Sequence, residues 1–190
     1  MSITARSSLG SVAVEVGDAL RRHGIRAVLT GGACASLRSG GAYYSVDIDF
    51  ILLGHVTQAE LDAAMGSVGF KRKGDRYLHP RVRFYVEFPR GPLAIGADYQ
   101  IKPVEHRLRR ARALVLSPTD SCRDRLAAFY HWNDRQSLAV AVSIAVRNPV
   151  NLAAIRRWSV AEGMTQRFNE FLAELKAARG KRAQRRPGTR

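Results

Sequence analysis

Cysteine is scarce in this 190-residue chain, present only as Cys34 and Cys122. Two isolated thiols exclude a disulfide framework and a zinc site, and their helix-like surroundings predict that both are buried. Long apolar runs are also missing. No stretch approaches the ~20 residues needed to span a bilayer. The opening segment Met1-Ser2-Ile3-Thr4-Ala5-Arg6 has no apolar core of a secretory signal, so a cytoplasmic protein with no membrane partner is expected. The most telling shortage is of negative charge. Asp plus Glu total 16 against 31 Lys plus Arg, for a net charge of +15. Arginine supplies most of the excess, and its planar fork suits phosphate. Such a balance favours polyanions through counterion release and long-range attraction. The 46% hydrophobic fraction is ample for a packed core, in one domain or one catalytic domain with a helical extension.

Against this scarcity of acids, the positions of two of them stand out. In Ser45-Val46-Asp47-Ile48-Asp49-Phe50, two carboxylates flank one apolar residue. On a strand, alternate side chains share a face, so Asp47 and Asp49 project together while Val46, Ile48 and Phe50 turn to the core. Acids in an otherwise apolar strand carry a desolvation cost that a metal or ligand offsets. Paired hard oxygens suit Mg²⁺ (or Mn²⁺) together with substrate phosphates. Upstream, 25–30 reads as a buried strand running into Gly31-Gly32, where the backbone can approach a phosphate closely. Residues 33–38 read as a short helix stopped by Gly40-Gly41.

This strand, glycine pair, short helix and Asp47-x-Asp49 strand resemble the DNA polymerase β-like nucleotidyltransferase superfamily. With Ser45 two places before the first aspartate, the pattern is most similar to the MenT/AbiEii-type toxin nucleotidyltransferases. The resemblance implies an α+β fold with a mixed sheet flanked by helices and a C-terminal helical lobe. It implies transfer of NMP from an NTP to an RNA acceptor, the tRNA 3′ end, and a partner antitoxin. Asp47 and Asp49 would hold the metal, with Gly31, Gly32 and Ser45 against the nucleotide. The superfamily places a third carboxylate on a neighbouring strand. Glu87 fits that place within the alternating run 82–88, and Asp98 is the alternative. The toxin-type enzymes also supply a lysine and an aspartate from the helical lobe. Arg123 or Arg125, and Asp134, are the matches here.

The rest of the chain divides into an expected nucleotidyltransferase domain at 1–116, a helical lobe at 117–178 and a basic disordered tail at 179–190. A helix is expected near 8–23, and Thr57 with Glu60 forms a capping box for another. A strand pair is expected to turn at Gly74-Asp75, with weaker strands at 97–101 and 113–116. Four helices follow Ser117-Pro118. Basic residues of the body fall into two groups, one across Lys71–Arg90 and one across Arg107–Arg112. Arg81, Arg83 and Arg90 are the candidate RNA contacts. His131 and Trp132 are placed to stack on a base, or Trp132 sits in the core. Two rival functions remain: transfer to a protein or small molecule, and a non-catalytic nucleic-acid-binding module.

Overall fold

The computed structural model describes residues 3–41 and 43–184. The first helix, α1 (Leu9–Arg22), is opened by Ser8, whose side chain accepts from the Ser11 amide. Its stripe of Val12, Val16 and Leu20 is buried. The chain then enters β1 (Ala27–Leu29), α2 (Gly31–Ser39), β2 (Asp47–Leu52) and α3 (Gln58–Gly66). Helix α2 stops at Gly40, whose φ of 68° is the left-handed conformation that glycine adopts cheaply. Helix α3 has the expected Thr57–Glu60 capping box. The strands β3 (Lys71–Lys73), β4 (Arg76–Leu78), β5 (Tyr85–Glu87), β6 (Val104–Leu108) and β7 (Ala111–Val115) complete the sheet.

The seven strands are ordered β3-β4-β5-β2-β1-β7-β6. Strand β1 lies between β2, its antiparallel partner, and β7, its parallel partner. Strand β5 runs parallel to β2 on the other side. Along β2 the alternation is as expected: Ile48 and Phe50 are fully buried, whereas Asp47 and Asp49 are half-buried. Helix α1 covers the Phe50 face. It comes so close at Gly17 that a Cβ there would collide with Ala113 and touch the Phe50 ring. The aspartates project from the opposite face. Val46 falls outside the strand and is 37% exposed, so it does not join the core.

After Ser117, which caps the next helix by accepting from the Asp120 amide, come α4 (Pro118–Trp132), α5 (Arg135–Arg147), α6 (Leu152–Ala161) and α7 (Thr165–Gln184). Helices α4 and α5 pack on each other and on α2, so the helical lobe rests on the helix that joins β1 to β2. Arg38 of α2 donates to the Leu116 carbonyl at 2.8 Å and fastens the entry to the lobe. Both cysteines are buried, as expected. The chain thus has the expected α+β architecture.

Four local expectations are corrected. The strand read over 82–88 pairs only at Tyr85–Glu87, because β4 ends at Leu78 and β2 begins at Asp47, both opposite Tyr85. Residues 97–101 form no strand, and their backbone pairing is an isolated Ile95–Asp98 bridge. Val104–Leu108, not foreseen as a strand, forms the sheet edge with mostly exposed side chains. Helix α7 continues through Gln184, into the stretch expected to be disordered, and Arg179 donates to the Ala145 carbonyl. The remainder of the expected tail, 185–190, lies outside the described residues, as do Met1 and Ser2.

Candidate active site

Three elements converge on the aspartate face of β2. Strand β2 supplies Asp47 and Asp49, and β5 supplies Glu87 in register with Asp49. Helix α2 starts directly beside them. Gly31, at φ 59°, lies against the Asp49 carboxylate so closely that a Cβ would strike Oδ2. At Gly32 a Cβ would lie 2.8 Å from Ser45 Oγ and 2.9 Å from the Tyr43 ring. The glycine pair is therefore required by close approach, although it opens the helix rather than forming a separate turn before it. Thr30, the N-cap, makes no side-chain cap to the first turn of α2. The amides of that turn are left for an external acceptor such as a phosphate oxygen.

Ser45 donates its hydroxyl to the Asp47 carboxylate and so orients it. Glu87 accepts from Arg76 Nε at 2.6 Å. Asp49 is the strained acid. Burial, then the negative charges of Asp47, Glu87 and Asp124, push its carboxyl up to about 6, with Arg125 pulling the other way. Asp124 on α4 escaped the sequence reading. It lines the same cleft as Thr30, Gly31 and Asp49, a space of about 350 Å³ roofed by Pro89, Pro92 and Leu93. Its partner is Arg125, which donates from Nε and Nη2 to Asp124 Oδ2 at 2.9 and 2.7 Å. The signal available in the sequence was helical spacing, because Cys122, Leu126 and Phe129 mark the buried stripe of α4 and leave Asp124 on another face.

The other candidates are placed as follows. Arg123 does not reach the carboxylates. It is buried, ion-paired to Asp98 at 2.6 Å and to Asp120 at 3.0 Å, and stacked 5.0 Å over Trp158. Residues two apart on a helix point roughly 200° apart, so Arg123 and Arg125 face opposite ways. Asp98, the alternative third acid, is held by the Arg123 guanidinium, which lowers its proton affinity. Asp134 caps α5, accepting from the Ser137 amide at 3.1 Å and hydroxyl at 2.7 Å, within electrostatic reach of Arg125. Trp132 is 76% exposed, not in the core, and His131 lies 3.5 Å from Glu162.

Arg81, Arg83 and Arg90 are exposed. The two basic groups lie at opposite edges of the sheet, since β3-β4 ends one side and β6 the other. Part of their charge is internally matched: Arg72 to Asp62, Arg76 to Glu87, and Arg107 and Arg112 to Glu105. Among the described residues, no group of three or more His, Cys, Asp or Glu side chains makes a metal cage. Magnesium does not require one, because it keeps waters and phosphate oxygens beside one or two carboxylates. The Asp47–Asp49 pair, with an acid whose charge is unfavourable without a cation, fits such an ion.

No helix among the described residues is long and apolar enough to cross a membrane. No family model matches the chain, and no curated protein matches its sequence. Among solved structures it is similar to the crystal structure of an antigenic nucleotidyltransferase-like protein from Paracoccidioides brasiliensis. The TM-score is 0.55 at 15% identity, over 95% of this chain and 93% of that one. The chain therefore shares its α+β fold with that nucleotidyltransferase-like protein over nearly its whole length.

Proposed function

We propose that the protein moves an NMP from an NTP to a hydroxyl of an RNA acceptor, the tRNA 3′ end. The observation that carries this reading is the carboxylate group on two adjacent strands, with Asp49 pushed up to about 6 beside the uncapped start of α2. The acceptor oxygen attacks the α-phosphorus. A new P–O bond forms, the bond to the β-phosphate bridging oxygen breaks, and pyrophosphate leaves. Glu87, in register with Asp49, takes the proton of the acceptor hydroxyl. The α2 amides hold phosphate oxygens, and Ser45 fixes the rotamer of Asp47. Held by Asp47 and Asp49, Mg²⁺ or Mn²⁺ would supply neutralisation of the triphosphate and of the leaving pyrophosphate.

The resemblance to MenT/AbiEii-type enzymes extends the proposal to a toxin countered by an antitoxin protein. Expression of the wild-type chain should then arrest growth, and Asp47→Ala should relieve the arrest. The biochemical test is a screen of each α-labelled NTP with total RNA, purified tRNA, protein alone and an aminoglycoside. Label from one NTP should enter tRNA. Label confined to protein or to the small molecule overturns the RNA acceptor, and absence of label in every arm overturns nucleotidyl transfer.

A further inference from the structure

A second cleft, of about 840 Å³, opens beside Ser45 and shares no lining residue with the Asp49 cleft. Its floor comes from the start of α1 and the last turns of α2. Its two walls are 43–45 and 81–84. Those walls run directly into β2 and β5, the strands that carry Asp47, Asp49 and Glu87. The Tyr85 amide donates to the Val46 carbonyl at 3.1 Å and pins the two walls together at that point. One wall also reaches the aspartates chemically, since Ser45 lines the cleft and donates to Asp47.

The lining has the chemistry of a nucleotide site. The Arg83 guanidinium lies 4.8 Å over the Tyr44 ring and 5.6 Å from that of Phe84. Tyr44 is 64% exposed, so this flat surface is presented to solvent instead of being packed away. Arg81, also exposed, forms no ion pair among the described residues. No carboxylate lines the cleft. Stacked aromatic and guanidinium planes hold splayed bases of single-stranded RNA, and free arginine holds phosphate. A cationic small molecule finds only arginines there and nothing to neutralise it.

We propose that this cleft is the acceptor subsite and takes the 3′-terminal nucleotide of a single-stranded RNA. The base stacks on the Tyr44–Arg83 pair, Arg81 holds a phosphate, and the terminal hydroxyl is delivered along the Ser45 wall toward Asp47. This deepens the nucleotidyl-transfer reading and rests on it for direction. The donor triphosphate is assigned to the other cleft because only that one contains the uncapped start of α2.

The test is a binding measurement without NTP, so that no turnover is needed. A short single-stranded RNA carries 2-aminopurine at its 3′ terminus, where stacking quenches fluorescence. Wild-type protein should quench the terminal probe more than an internal one. Tyr44→Ala and Arg83→Ala should lose the terminal quench and weaken affinity about ten- to a hundredfold at fixed salt. Both side chains are exposed, so melting temperatures should match the wild type. Arg110→Ala, which removes an equal charge at the far edge of the sheet, should cost no more than about threefold. A fluorescent non-hydrolysable NTP analogue should bind Tyr44→Ala as it binds wild type. Three results overturn the assignment: an undiminished quench in both variants, an equal loss in Arg110→Ala, or loss of NTP-analogue binding in Tyr44→Ala. Loss of the subsite in this assay leaves nucleotidyl transfer standing. A blank label-transfer screen with an intact quench defeats the transfer reading alone.

Discussion

The two clefts beside β2 differ in almost every chemical respect. One is walled by Asp49, Asp124, prolines and a helix start, and burial followed by neighbouring negative charge makes Asp49 resist ionisation. The other is walled by Arg81, Arg83 and tyrosines and contains no acid. A chain with a strong positive excess has thus concentrated several of its few carboxylates in one place. Under the proposed function the two clefts divide the labour: one would take a cation with its nucleotide, and the other would attract a polyanion by itself.

Removing the carboxylate side should separate the two functions most sharply. Asp47→Ala is expected to lower transfer by about a thousandfold or more, because one of the two proposed metal ligands is lost. RNA affinity should stay within about twofold, since the arginine cleft is untouched. A proportional loss of both would merge the clefts into one site. The arginine side is probed by salt. With roughly six phosphates contacted, affinity for RNA should fall on the order of a thousandfold between 50 and 200 mM salt. Charge reversal at Arg81 and Arg83 should cost more RNA affinity than reversal at Arg107 and Arg110, measured by fluorescence anisotropy, because the two groups lie on opposite sheet edges.

How much of this was legible in the sequence depended on the range of the interaction. Period-two alternation sufficed for Asp47 and Asp49, and local side-chain chemistry sufficed for the Thr57 capping box and the Gly40 stop. Edge strand β6 escaped because Val104-Glu105-His106-Arg107-Leu108 exposes most of both faces and so lacks alternation. The stretch 97–101 looked like a strand but is held by distant partners. The Arg123 guanidinium grips Asp98, and Glu162 accepts from the Ala97 amide at 2.8 Å. Helical spacing separated Asp124 from the buried stripe of α4, but its approach to Asp49 and the opposite placement of the two basic groups needed the tertiary fold.

Arg123 and Arg125 differ in the same way, one locked in a buried ion-pair network and the other beside the acid cleft. Arg123→Ala leaves Asp120 and Asp98 without their partner and should cost about 3 kcal/mol of stability, read as a lowered denaturant midpoint. Arg125→Gln should instead raise KM for NTP about tenfold, because it weakens the positive charge beside Asp49 and Asp124. Reversed effects would exchange their roles.

The smallest effect concerns the metal-free protein. The Asp49 carboxyl is raised from 3.8 to about 6 in the folded state, mainly by burial. The folded state therefore favours the protonated acid, and stability is lost as pH rises from about 4 through 6. Asn cannot ionise, so Asp49→Asn should be more stable than wild type by about 1–2 kcal/mol at pH 7.5, allowing for partial solvent screening. The gain should vanish below about pH 4. Added Mg²⁺ should stabilise wild type at pH 7.5 and leave Asp49→Asn unchanged. Chemical denaturation across this pH range checks both statements.

Transfer of a nucleotidyl group by the β2 carboxylates is read from the position of the label. With the accepted NTP labelled separately at the α- and γ-phosphates, the α-label should enter RNA. The γ-label should appear only in pyrophosphate, one released for each nucleotide added. Gamma label on the acceptor, or α-label that enters RNA equally well with Asp47→Ala, would rule out nucleotidyl transfer by these carboxylates.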